Sequence, residues 1–365
     1  MKKLMYLIGL LVAIVGFWSC ENDKDEPVLV SKLEVKEFTS EALMNNPIGN
    51  PEVRKMQVYL PKGYDNGTEK YPVVYLLHGL PFTEESFISP ETWDPWIGGA
   101  SPFQSYPDFP ENGFKNWIDG LIDSGLIAPM IIVMPNADSM YGFSFYSNSI
   151  LIGGFEDYIV NDLVNFMDTN YRTLTNKDGR AVIGFSQGGY AAVKFGLLHP
   201  DEFGVIASHS GLLYIDGMLS LGDVVIAENP IGFVGPDKDK FLTSAMYAMS
   251  SAWSPNLNNP PYMVDLPFDW DSGATIPSVR EKWLEHDVFT MLDKHSESLK
   301  SLNGVFIDCG ALDELGMTPM VDAFCQKMEA MAIDHTFESF QGGHFTDMYA
   351  RLERSLAFVS EKMDR

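Results

Sequence analysis

The sequence predicts an α/β fold: a mainly parallel central sheet flanked by helices, interrupted by loop insertions. Three observations carry this. Short apolar runs rich in β-branched residues recur along the chain, as in YPVVYLLHG and MIIVMPN. They are continuously apolar rather than alternating, as strands covered on both faces are. Between them lie segments whose apolar residues fall at helical spacing.

The elements follow in order. KMQVYLP (Lys55–Pro61) alternates with period two and reads as an antiparallel strand leading into the core. Tyr71–Gly79 and Met130–Asn136 are short buried strands, and Glu156–Tyr171 has helical spacing through Tyr158, Ile159, Leu163, Phe166 and Met167. AVIGFSQGG (Ala181–Gly189) is a strand, a sharp turn and the start of a helix that runs from Tyr190 towards His199. Gly204–Gly211, Gly304–Gly310 and His335–Phe340 supply three more strands, with a helix through Met320–Met331 before the last. Residues 86–112 and 212–300 break the rhythm with Pro, Gly and aromatic residues. Both are expected to be loop insertions on one domain spanning residues 31–365, not separate domains.

Composition narrows the class. The 365 residues carry 25 Lys+Arg against 50 Asp+Glu, a formal charge of −25, which phosphate backbones would repel. With 45% hydrophobic and 21% charged residues the chain can bury a large core. Three cysteines cannot staple a disulfide scaffold, and Cys309 and Cys325 are expected as buried free thiols.

The first residues read as an address. Lys2 and Lys3 precede a 15-residue apolar run, Leu4–Trp18, shorter than the ~20 residues of a membrane-spanning helix. The run ends in FWSC, which resembles the lipobox of bacterial lipoproteins. That resemblance implies removal of residues 1–19, lipid on Cys20, a polar tether over 20–30, and an exported protein anchored at the outer membrane. Phe17 and Trp18 are bulkier than a lipobox usually carries.

Chemistry begins at Gly184-Phe185-Ser186-Gln187-Gly188, a G-x-S-x-G set between a strand and a helix. Such a turn lifts the serine hydroxyl above the sheet and aims the next N–H at the same space, making Ser186 the candidate nucleophile. A serine needs a base, and in the order nucleophile, acid, histidine the base comes last. His344, in the Gly-rich QGGHF after the last strand, fits that place better than the other histidines. Asp313, in the loop beyond the strand ending at Cys309, is the candidate acid, with Asp308 and Glu314 as runners-up. Backbone N–H groups of Gln187 and of Leu80, after the LLHG strand, are the candidate oxyanion donors, worth about 3–4 kcal/mol each at such sites. No metal-ligand spacing occurs, and the chemistry asks for no cofactor.

FEDYIVNDLVNFMDTNYR, RAVIGFSQGGYAAVKFGLLHPDEFG and HSG resemble the esterase-D-type esterases. That group includes feruloyl and acetyl xylan esterases of the carbohydrate esterase family 1 type, S-formylglutathione hydrolases, ferric-enterobactin esterases and mycolyl transferases. The likeness covers residues 55–212 strongly and 304–350 moderately. It implies the α/β-hydrolase fold, Ser186, Asp313 and His344 as triad, and Leu80 and Gln187 as oxyanion donors. GFSFYSNS (Gly142–Ser149) resembles the segment lining the acyl pocket, which places Phe145 and Tyr146 near substrate. Phe185 and Gln187 depart from the family, which carries a smaller residue and a Met at those places.

The substrate is less legible. Trp93, Trp96, Phe103, Tyr106 and Phe109 are expected as a platform for sugar rings or a feruloyl group. The reading is a secreted serine esterase acting on feruloyl or acetyl esters of plant polysaccharide. Alternatives are a siderophore esterase, a general carboxylesterase, or a catalytically silent glycan-binding protein on the same scaffold.

Overall fold

The computed structural model describes residues 29–79, 82–230 and 234–364. Among them eight strands form one sheet, which we number β1 (Lys32–Thr39), β2 (Val53–Leu60), β3 (Val73–Leu77), β4 (Ile131–Pro135), β5 (Arg180–Phe185), β6 (Val205–His209), β7 (Gly304–Gly310) and β8 (Thr336–Phe340). Their spatial order is β1-β2-β4-β3-β5-β6-β7-β8. β1 and β2 are antiparallel, as are β2 and β4, and every later pair is parallel.

The sheet is covered on both faces, and the sequence shows why. β3, β4 and β5 are buried along their whole length, so their continuous apolar runs meet helices above and below. β1 was not expected from the sequence. KLEVKEFT mixes charges into both faces of an edge strand, and most of it stays partly exposed.

Helix α1 (Gly113–Asp123) lies between β3 and β4, and α2 follows β4, built of Phe155–Asp157, Tyr158–Leu163 and Val164–Asn170 with a π turn in its middle stretch. The helix after β5, α3 (Gln187–Leu198), is buried through Leu197. It comes close to the sheet because Gly196 stands where a Cβ would lie 2.8 Å from Ile206 Cδ1.

The stretch 212–300 corrects an expectation. It is largely helical rather than loop: α4 (Gly222–Glu228), α5 (Phe241–Trp253), α6 (Pro277–Leu284) and α7 (Val288–Lys300). α7 is the crossover helix between β6 and β7 and packs on α3. α5 escaped periodicity because FLTSAMYAMSSAW is apolar or small all round, and all but Leu242 of it is buried. Stretch 86–112 holds one 3-10 turn, Pro90–Trp96, and is otherwise irregular. The last helices are α8 (Thr318–Ala330) and α9 (Met348–Lys362), and α9 lies against β6 and β7.

The sharpest packing is at the turn after β5. Ser186 has φ 57° and ψ −117°, a backbone region that costs an L-residue about 1–3 kcal/mol. A Cβ on Gly184 would lie 2.1 Å from Gly188 O, and one on Gly188 would lie 2.3 Å from Leu77 O. Gly184→Ala and Gly188→Ala should therefore each lose about 3 kcal/mol or more of stability. Gly120→Ala, in an open position on α1, should gain about 0.5–1 kcal/mol. Denaturant unfolding of the three variants checks both signs.

Candidate active site

The C-terminal ends of β3, β5, β7 and β8 converge on one place, and each contributes a loop. β5 delivers Ser186 at the strained turn, where it caps α3 and is almost wholly buried. The loop after β7 delivers Asp313, and the loop after β8 delivers His344. His344 Nδ1 lies 2.7 Å from Asp313 Oδ2, and both side chains are fully buried. Asp313 Oδ1 accepts from the N–H groups of Leu315 at 3.0 Å and Met317 at 3.4 Å. Burial alone would raise the Asp313 pKa. The imidazole beside it and those two N–H groups outweigh burial and hold the carboxyl below its ordinary value. Asp313 is thus an ionised acceptor, which keeps the imidazole proton on Nδ1. His344 Nε2 is buried without a hydrogen-bond partner among the described residues, the lone-pair face a base needs.

The runners-up stand elsewhere. Glu314 Oε2 accepts from His344 N at 2.8 Å, holding the histidine's backbone rather than its ring. Asp308 lies within β7 and faces His209 and Arg351 instead of His344.

Gln187 starts α3, so its N–H has no intrahelical acceptor. Its side chain braces two loops: Nε2 donates to Gly79 O at 3.0 Å, and Oε1 accepts from Phe145 N at 3.1 Å. Gly79 packs directly on Ser186, where a Cβ would lie 3.2 Å from Ser186 Cβ. Leu80, expected to give the second oxyanion donor, lies outside the described residues, as do Cys20 and the whole leader. His78 anchors the same loop. Its Nδ1–H donates to Gly79 O at 2.9 Å, and its Nε2 accepts from Ala137 N at 2.9 Å.

A narrow pocket of about 40 Å3 opens beside Ser186, lined by Phe145, Gln187, Leu212, Met218, Phe241, Leu242, Ala245, Met249, Leu315 and Met317. α5 therefore forms one wall of it. Phe145 reaches the pocket from a left-handed backbone at φ 49°. Tyr146, also left-handed at φ 46°, does not line it: its hydroxyl donates to His78 O at 3.0 Å, into the core. Buried Lys194, paired with Glu156 at 2.5 Å, donates to Tyr146 O and Ser147 Oγ and fixes this bend.

A second cleft, of about 310 Å3, is lined in part by Gly343 and Phe345, the neighbours of His344 in the chain. It is lined by Phe103, Tyr106, Pro107, Gln104, Ser105, Asp108, Glu314, Gly343, Phe345, Thr346 and Asp347. Phe103, almost wholly buried, and exposed Tyr106 both line this cleft. Trp93 does not: it is buried, donates from Nε1 to Ser86 O at 3.0 Å, and packs edge-on against Phe345. Trp96 packs against the core from an intermediate position, and neither lines the cleft. Cys309 and Cys325 are buried free thiols. Among the described residues no cluster of His, Cys, Asp or Glu is arranged to hold a metal ion.

Residues 50–352 match the family model described as "Putative esterase". The chain belongs to this esterase family. Among curated relatives, this esterase is 31% identical over 166 residues to an esterase of Mycobacterium tuberculosis, covering 44% of this chain and 29% of that one. It is 32% identical over 173 residues to an endo-1,4-beta-xylanase/feruloyl esterase of Xylanibacter ruminicola, covering 44% of this chain and 20% of that one. It thus spans less than a third of the length of either relative. A solved ferulic acid esterase superposes with a TM-score of 0.60 at 21% identity, over 92% of this chain and 100% of that one. An S-formylglutathione hydrolase of Staphylococcus aureus gives 0.56 at 16% identity, over 91% and 99%. Both structures share the α/β-hydrolase fold with this esterase.

The buried histidines set an acid limit on the fold. Burial holds the His78 pKa down at about 4 and that of His286 at about 3, against 6.5 in an unfolded chain. Between pH 6.5 and 4 the unfolded chain takes up protons that these folded sites refuse. Stability is therefore lost as pH falls through that window, by about 1.4 kcal/mol per unit for each site. Guanidinium unfolding at pH 7 and pH 5 should show a clearly lower midpoint at pH 5, and equal midpoints would contradict the assignment.

Proposed function

We propose that this esterase works through a serine acyl-enzyme, with Ser186 as nucleophile, His344 as base and Asp313 orienting the imidazole. The single observation that carries the proposal is the buried Asp313–His344 pair with its unpartnered Nε2, on the loops that flank the Ser186 turn. Ser186 attacks the ester carbonyl as Nε2 takes its proton, and the imidazolium returns that proton to the leaving alcohol. Water then repeats the sequence on the acyl-enzyme. Gln187 N–H, with the N–H of Leu80, would hold the oxyanion. None of these steps needs a metal or cofactor.

The two cavities divide the substrate. Among the described residues, the polar side chains lining the acyl pocket are Ser186 and Gln187, and the Gln187 amide is already engaged with Gly79 and Phe145. A buried phenolic hydroxyl would find no partner there. One water needs about 10–15 Å3 of such space, so about 40 Å3 suits a compact apolar acyl group such as acetyl. The cleft beside His344 joins aromatic faces to carboxylates that accept hydrogen bonds, which suits a hydroxyl-rich alcohol such as a sugar. Its carboxylates and the overall charge disfavour an anionic ferric siderophore. Feruloyl esters are the second reading. They are favoured by the Xylanibacter ruminicola relative and by Met218, Met249 and Met317, flexible side chains that can repack around a larger acyl group. Export and lipid anchoring through Cys20 belong to the same proposal.

Turnover of p-nitrophenyl acetate and methyl ferulate by the wild type and by Ser186→Ala tests it. Acetate should be cleaved with the higher kcat/KM, and Ser186→Ala should lose at least about 10^4-fold. A higher kcat/KM for ferulate would select the second reading, and turnover surviving Ser186→Ala would overturn the triad. In cells, the protein should sediment with membranes and Cys20→Ser should release it.

A further inference from the structure

Beneath the candidate triad, a second serine, histidine and aspartate stand in line. The register places Phe185, His209 and Asp308 abreast on β5, β6 and β7. His209 Nδ1–H donates to Asp308 Oδ2 at 2.8 Å, and His209 Nε2 lies 2.9 Å from Ser355 Oγ on α9. All three side chains are fully buried, and none lines a cavity beside Ser186. Burial holds the His209 pKa below its ordinary value, so the imidazole is neutral near pH 7. This chain reaches no substrate.

It reaches the catalytic backbone instead. Arg351, also fully buried, donates from Nη2 to Asp308 Oδ1 at 2.7 Å and from Nη1 to His344 O at 2.7 Å. Nη2 also donates to Ser210 Oγ at 2.9 Å. On the other side, His209 O accepts from Ser186 N at 2.8 Å, while the ring of His209 stacks on Phe185 at 4.3 Å. The guanidinium lies over the other edge of the sandwich, 5.1 Å from the Phe185 ring centre and 4.6 Å from that of Phe340. One carboxylate, Asp308, thus ties together the groups that hold the backbones of Ser186 and His344.

From this we infer that Arg351 is a positioning residue for the hydrolysis, fixing His344 over Ser186 by bridging the His344 carbonyl to Asp308. A lysine at 351 has one ammonium and lacks the planar fork that spans both acceptors. Phe185 is the surface on which the clamp is built, stacked on His209 and faced by Arg351. This inference rests on Ser186 and His344 being nucleophile and base.

The test uses Arg351→Lys, Arg351→Met and the double variant Arg351→Met with Asp308→Asn, each with kcat expressed per site titrated by a fluorophosphonate. Removing only the arginine strands a buried carboxylate, which is strongly destabilising, whereas the double variant removes both charges. We expect Arg351→Lys to lose at least tenfold in kcat per titrated site with KM within twofold of wild type. The double variant should recover stability over Arg351→Met yet keep the tenfold loss. Recovery of kcat together with stability, or wild-type kcat per titrated site in any variant, would overturn the positioning role. Failure of the wild type to be titrated would instead sink the serine mechanism, so the two failures are distinguishable.

Discussion

A serine at φ 57° and ψ −117° can be held only where neighbouring backbones come closer than any Cβ allows. That closeness is the constraint on which the rest of the molecule depends. Gly188 touches the end of β3, Gly184 touches Gly188, and Gly79 touches the serine itself. The strain is local, but its support is spread across four parallel strands. Register matters because a strand displaced by one residue would turn Phe185, His209 and Asp308 to the wrong face. The Ser186 turn, the His78–Gly79 end of the loop after β3 and the His344 loop are therefore one packed unit, with α3 and α9 pressing on it from opposite faces.

Polar groups in this unit are sorted by burial. Asp308 and Asp313 are each held below their ordinary pKa despite burial, by the imidazole bonded to each and, for Asp308, by Arg351 as well. What separates them is the other ring nitrogen. His209 spends its Nε2 on Ser355, whereas His344 Nε2 has no hydrogen-bond partner among the described residues. The same three residue types thus serve as scaffold in one place and as candidate catalyst in the other, and the difference lies in access to the cavity.

Much of this was legible in the sequence, for local reasons. Continuous apolar runs marked the buried strands, a glycine-flanked serine marked the turn, and Gly-rich loops after strands marked Asp313 and His344. The illegible parts depend on partners far away in the chain. β1 carries charges on both faces, and α5 lacks the polar stripe that reveals a helix. Trp93 reads as a surface aromatic because loop composition says nothing about burial, yet it is sealed under Phe345. Arg351 sits on an ordinary amphipathic helix, and only the sheet register brings Asp308, His209 and the His344 carbonyl to its side chain.

Ser186, not the similarly equipped Ser355, is the proposed reacting serine. Labelling the full chain with a fluorophosphonate, followed by peptide mass mapping, tests it most directly. A single adduct is expected on Ser186, one that Ser186→Ala abolishes and Ser355→Ala leaves in place. An adduct on Ser355, or one that persists without Ser186, would contradict it.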